Sequence, residues 1–309
     1  MTRYERRFRS VARSLNHLDL MRSSLDEVLD MNARDLLDKD AGRRFLDFYG
    51  DEGIRIALSR YGIEEAIRER GYVDIEIETR AVDERHSISI FGHTENEMGV
   101  RHRLIELAVR RDRLIPNTEV YRAVPTLDPA YDVLTVDWLL LQDPRAEFTP
   151  EKPRFPGQEA PGLGIGERVL ELLYRIVKRL ELQALVTVAE HFHNASLYHR
   201  EMPYFDPTEG GRFRALERIL MEEEHLSLAQ ASWAIEWGCV HEQDGEVLRW
   251  RGEAQLRPFE PALATWLDST AHRKTARKVA ADTAFFLDRS QFDARWAAER
   301  NDLEGLASS

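Results

Sequence analysis

Gly162-Leu163-Gly164-Ile165-Gly166 opens directly into an amphipathic helix over residues 167–180, and a short apolar strand over residues 184–189 follows. Val169, Leu170, Leu172, Leu173, Ile176, Val177 and Leu180 recur at i, i+3, i+4 and i+7, the spacing of one helical face. Glu167, Arg168, Glu171, Arg175, Lys178 and Arg179 take the opposite face. Glycines at a helix start leave backbone N–H groups uncovered, backed by the positive end of the helix dipole. Such a turn is suited to hold a phosphate or pyrophosphate. The same glycines would also serve a tight loop that packs a helix closely on a sheet.

Working outward, composition narrows the class. A chain of 309 residues with 43% hydrophobic and 32% charged residues fits a globular protein of one large domain or two modest ones. A formal net charge of −12 argues against a nucleic-acid binder, since a phosphate backbone repels such a surface. No run reaches the length of a membrane span, and the first residues lack an apolar signal core. A cytoplasmic protein without integral membrane contact is therefore expected. Cys239, the single cysteine, lies beside Trp237 and Val240 and reads as a buried, inert thiol.

The pattern changes twice along the chain. Residues 1–70 read as helices. Tyr4, Phe8, Val11, Leu15 and Leu18 form a stripe beside five arginines, and further helices are expected over 25–37, 41–61 and 64–70, the last closed by Gly71. The period then becomes two, predicting strands over 72–79 and 87–91 joined as a hairpin near Asp83-Glu84. Residues 104–113 fit a strand or a helix, and 133–141 reads as a central, doubly covered strand. Residues 142–161 carry five prolines, which excludes helix and central strand and marks a binding surface or lid. Helices are expected over 212–223 and 226–237. A hairpin over 239–242 and 246–250 turns at Asp244-Gly245, and helices over 263–268, 275–287 and 292–300 follow.

Residues 133–205 resemble the GNAT superfamily of N-acetyltransferases. In that family a central strand leads into an R/Q-x-x-G-x-G/A loop at a helix start, then a strand, then a short Asn-x-x-Ala-x-x-aromatic-Tyr segment. Gly164-Ile165-Gly166 stands at the G-x-G position, Leu172-Leu173 at the apolar pair beyond it, and residues 185–188 on the following strand. His191 to Tyr198 aligns with the last segment, with Leu197-Tyr198 at its end. Pro161 occupies the R/Q position, His191 the Asn and Asn194 the Ala, and Met202-Pro203 replaces the usual Gly-Phe.

The resemblance implies an α+β fold: a GNAT-like mixed central sheet with helices on both faces, at residues 71–206. An N-terminal helical extension (1–70) and a mostly helical C-terminal region (207–309) flank it. It also implies transfer of an acyl group from acetyl-CoA or another acyl-CoA to an amine acceptor, with no metal. The N–H groups of Leu163, Gly164, Ile165 and Gly166 would then hold the pyrophosphate. The splayed end of the central strand, at Leu140 and Leu141, would offer backbone groups to the pantetheine arm. Tyr198 would protonate the departing thiolate, and Glu190 or His191 would take the proton of the attacking amine.

Other readings of the same residues fare differently. A dinucleotide-binding unit requires G-x-G-x-x-G, which Glu167 interrupts, and the strand before the glycines ends about twenty residues too early. No G-K-[ST] follows the glycines. His191, His193 and His199 crowd one segment with Glu190, yet no zinc-type spacing accompanies them, so exposed or hydrogen-bonded histidines flanking a site are expected. The alternative of another class is a catalytically inactive scaffold that binds a protein partner, to which Trp233, Trp237, Trp250 and Trp266 would contribute.

Overall fold

The computed structural model describes residues 44–97, 99–116 and 127–306. The arginine-rich stripe of residues 3–18 and the helix expected over 25–37 lie outside the described residues. In chain order the elements are α1 (Asp51–Arg60), α2 (Ile63–Arg68), β1 (Asp74–Val82), β2 (Arg85–His93), β3 (His102–Leu114) and β4 (Tyr131–Leu141). Next come α3 (Gly166–Arg179), β5 (Ala184–Val188), α4 (Phe192–Tyr198) and α5 (Pro207–Glu217), which continues as a π-helical turn over Arg218–Glu223. The chain ends with α6 (Leu228–Glu236), β6 (Val240–Glu242), β7 (Ala254–Pro258), α7 (Pro261–Leu267), α8 (Thr270–Asp282), β8 (Phe285–Leu287) and α9 (Arg289–Leu303). The fold is α+β. One six-stranded sheet has the order β1-β2-β3-β4-β5-β7, and β6 with β8 makes a second, two-stranded one.

Two compact units divide the chain. The first holds residues up to Arg113, Asp132–Pro144 and Gly162–Leu185; the second holds Leu114–Tyr131, Arg145–Pro161 and Val186 onward. In the first, β1, β2 and β3 form an antiparallel meander, with Val82 opposite Arg85 and Asp83 turning the hairpin at φ 54. Alternating Val73, Ile75 and Ile77 had indicated this hairpin, and the strands run a few residues longer than the apolar alternation. The ambiguous stretch 104–113 is strand, part of β3. The core of this unit gathers Tyr72, Ile90, Leu104, Leu134, Val177 and Leu185.

The helix expected over 41–61 begins only at Asp51. Leu46 and Asp47 have left-handed φ of 53 and 58, and the Leu46 amide donates to Nδ1 of His86 at 3.0 Å. A contact forty residues away thus outweighs local helix propensity. On α3, Glu171 was expected on the polar face. It is fully buried, its Oε1 2.8 Å from Nε of Arg175 one turn later, so ion pairing within the helix permits its burial.

The second unit packs Phe192, Phe213, Leu220, Ala234, Cys239 and Phe292 into one apolar cluster. Cys239 is a buried free thiol. Asp244-Gly245 does form the hairpin turn, with Gly245 at φ 90, and the Glu242 and Leu248 amides donate across it to the Glu246 and Val240 carbonyls at 2.8 Å, while β6 also pairs along its length with β8. The second arm keeps a single bridge, His241 to Val247. The helix expected over 275–287 accordingly stops at Asp282, and Phe285 leaves it to pair with Glu242.

Candidate functional site

The glycine turn belongs to the first unit. Gln142 and Gly162 form a bridge, and the Leu163 amide donates to the Leu141 carbonyl at 3.4 Å, so the chain leaves β4 and doubles back along its end. Leu163 and Ile165 bury their side chains, which anchors the turn on both sides of Gly164. Gly164 has φ 72, a conformation glycine adopts without the steric cost a side chain brings. Ile165 caps α3 without any side-chain hydrogen bond. Its carbonyl accepts from the amides of Arg168 and Val169, at 2.9 and 3.2 Å.

That leaves three consecutive amides, those of Gly164, Ile165 and Gly166, with no hydrogen-bond partner among the described residues. The space beside them is open. A Cβ placed on Gly166 would meet only Leu141 Cδ1, at 4.0 Å, and one on Gly164 only Nη2 of Arg70, at 3.4 Å. Arg70 and Leu141 are thus the side chains that approach these two glycines within 4 Å. Leu163, by contrast, has its amide engaged by Leu141, so the unpartnered set is Gly164 to Gly166.

Arg70 is the cation beside this turn, and sequence spacing gave no sign of it. Its Nε lies 3.6 Å from Oδ2 of Asp143. The hydroxyl of Tyr72, a fully buried side chain, donates to Oδ1 of the same carboxylate at 2.8 Å. Asp143 stands two residues beyond the end of β4, so the segment that leads to the glycines also carries the group that positions Arg70. Leu140 and Leu141 are half-buried at the end of β4.

Glu190, His191 and Tyr198 belong to the second unit. Glu190 is exposed. His191 is the cap residue of α4, half-buried, with Nδ1 3.6 Å from Oε2 of Glu236. Tyr198 ends α4, half-buried, and burial raises its pKa, so the phenol is protonated at neutral pH. His193 is buried, which departs from the exposed or hydrogen-bonded histidine expected there. Its ring is stacked on His191 at 5.5 Å, and its Nδ1 has no partner. Burial, with His191 alongside, lowers its pKa to about 3. Burial likewise lowers His199 to about 4. Among the described residues no group of three or more His, Cys, Asp or Glu is arranged to hold a metal ion.

The proline-rich segment is pinned inside this unit. Phe155 stacks on His193, Trp233 Nε1 donates to the Arg154 carbonyl at 2.8 Å, and the Arg154 amide donates to Leu303 at 2.8 Å. The tryptophans on which the scaffold alternative drew make contacts inside this unit. Trp233 and Trp237 pack together at 5.2 Å, Trp250 Nε1 donates to the Ala189 carbonyl, and Trp266 Nε1 donates to that of Phe205.

No protein-family model matches the chain, and no curated protein does. Among solved structures the chain is similar to a tyrosine-to-phenylalanine mutant of KacT, at 11% identity and a TM-score of 0.24, over 48% of this chain and 73% of that one. A likeness at that level carries no argument about activity. No described helix is long and apolar enough to cross a membrane.

Proposed function

We propose that the chain transfers an acyl group from a coenzyme A thioester to an amine. The observation that carries this reading is the run of unpartnered amides at Gly164, Ile165 and Gly166, opening α3 beside the Arg70 guanidinium. Converging N–H groups at a helix N-terminus favour a phosphate oxygen, and a nearby guanidinium adds charge-assisted hydrogen bonds. Arg70 supplies in this reading the cation that Pro161 cannot. In the same reading the backbone at Leu140, at the end of β4, takes the pantetheine amides.

The chemistry follows from the thioester. The neutral amine nitrogen attacks the carbonyl carbon, a tetrahedral oxyanion forms, and the carbon–sulfur bond breaks. The thiolate takes its proton from Tyr198, whose phenol burial keeps protonated. The proton lost by the amine passes to Glu190 or His191, directly or through water. Titration calorimetry with acetyl-CoA, a long-chain acyl-CoA and free coenzyme A tests the reading. Saturable heats with all three are expected, since the nucleotide end is common to them. A flat titration for every one of them overturns it. The packing of Trp233, Trp237, Trp250 and Trp266 within the second unit gives the scaffold alternative no specific support.

A further inference from the structure

The first unit contains an apolar cavity of about 100 Å³ between β2, β3 and the helices α1 and α3. Ile88 and Ile90 from β2, with Ile105 and Leu107 from β3, form its floor. Leu58 of α1 and Leu172 and Ile176 of α3 form its walls. Among the described residues no carboxylate lines it, whereas two guanidinium groups do, those of Arg175 and Arg179. Both arginines are half-buried, so this polar end of the cavity meets solvent. Arg175 is committed to Glu171 one turn earlier, its Nε 2.8 Å from the carboxylate.

Tyr49 gives the same end a need for an acceptor. It lines the cavity and is 6% exposed. Burial outweighs the neighbouring Arg179 and raises its pKa to about 12, so the phenol keeps its proton. That proton has no acceptor among the described residues. Arg179, which approaches the phenol oxygen, can only donate. A buried O–H without an acceptor costs free energy. Beside a guanidinium, the group that relieves the cost is an anion. A carboxylate oxygen accepts from the phenol while the guanidinium adds charge-assisted hydrogen bonds. A cation in the same place would meet two arginines.

The rest of the lining sets the tail. An apolar cavity of about 150 Å³ walled by leucine, isoleucine and phenylalanine stays dry and takes a ligand the size of benzene. This one is smaller and admits a slimmer chain of roughly four to six carbons. We infer that the cavity binds a short unbranched monocarboxylate, its tail among Ile88, Ile90 and Ile105 and its carboxylate between Tyr49 and Arg179. The inference stands apart from the acyl-transfer reading and is tested without coenzyme A.

The experiment is methyl NMR on the full chain with labelled isoleucine δ1 carbons, titrated with butyrate, hexanoate, hexan-1-ol and hexylamine at matched ionic strength. Saturable shifts of the Ile88, Ile90 and Ile105 methyls are expected with hexanoate. Its two extra methylenes should make it about fifteenfold tighter than butyrate, at roughly fourfold for each one buried. Hexan-1-ol should bind at least about tenfold more weakly, lacking the charge-assisted hydrogen bonds, and hexylamine should not saturate. Arg179→Gln should weaken hexanoate about tenfold. Tyr49→Phe should weaken it about fivefold without lowering the melting temperature, since no hydrogen bond within the protein is lost. The inference is overturned if hexanoate shifts none of these methyls saturably, or if hexylamine or hexan-1-ol binds as tightly. It is also overturned if Tyr49→Phe melts well below the parent, or if both variants leave hexanoate affinity unaltered.

Discussion

The imidazole of His193 stacks on the ring of Phe155, with centroids 4.5 Å apart and planes 17° from parallel. One contact therefore both clamps the proline-rich segment and strips a titratable ring of water. His199 and His272 are shielded in the same unit, and burial lowers the pKa of each. An unfolded histidine titrates near about 6.5. Below that pH the unfolded chain takes up protons that the folded one refuses, so stability is full above it and falls on acidification. His193 and His199 stay neutral when folded down to about 3 and about 4, so the loss runs through that whole window. Each histidine contributes at most about 1.4 kcal/mol per pH unit, and three together about 4. Urea midpoints at pH 7, 6 and 5 should drop steadily. A midpoint that does not move across that range would contradict the burial of these rings.

Gly211 sits on α5 where α8 crosses it. A Cβ there would lie 2.6 Å from the Ala276 carbonyl oxygen and 2.7 Å from Val279 Cβ. One methyl must therefore push two helices apart, and overpacking of this kind costs about 1–3 kcal/mol. Gly211→Ala should lower the unfolding free energy by that amount, read as a lower denaturant midpoint at an unchanged slope. Gly245→Ala is the contrast, because nothing lies within 4 Å of its Cβ position. Only its φ of 90 opposes the change, a strain of about 1 kcal/mol. Equal losses at the two sites would mean the helices are not in close contact.

What could be read in advance was what local periodicity encodes. The stripe from Val169 to Val177 specifies α3 to within a residue of its observed ends, and alternation around Ile75 and Ile77 specifies the first hairpin. What stayed hidden depends on distant partners. Phe285 carries no local mark of its pairing with Glu242. Glu171 looked solvated because nothing nearby in sequence revealed the layer that covers α3. The glycine turn was legible as a helix start, since glycine spacing is local. Arg70 was not, because its approach to Gly164 is made through Asp143, a residue 73 positions later.

Tyr198 is assigned the proton delivered to the thiolate. Tyr198→Phe should leave affinity for acetyl-CoA within about twofold, because the ring and its packing are retained. General acid catalysis by a positioned side chain contributes roughly 10²–10⁴-fold, so turnover should fall within that range. Coenzyme A thiol release, followed with an amine panel, reads the rate. Unchanged turnover removes Tyr198 from the mechanism while leaving the phosphate cradle unaffected.

The cradle itself can be tested without disturbing the fold. Gly166 is the first residue of α3, and only Leu141 Cδ1 stands near its Cβ position, at 4.0 Å. A glutamate fits there. Negative charge in a first helical turn favours the helix by about 0.3–1 kcal/mol, so Gly166→Glu should melt no lower than the parent. The same carboxylate would sit where the amides of Gly164 to Gly166 are proposed to receive phosphate, and like charges repel. Coenzyme A affinity should then fall at least tenfold, equivalent to about 1.4 kcal/mol. Arg70→Ala should weaken binding in the same direction by removing the adjacent cation. A Gly166→Glu protein that is as stable as the parent and binds coenzyme A just as tightly would place the nucleotide elsewhere, and the acyl-transfer reading would lose the observation that carries it.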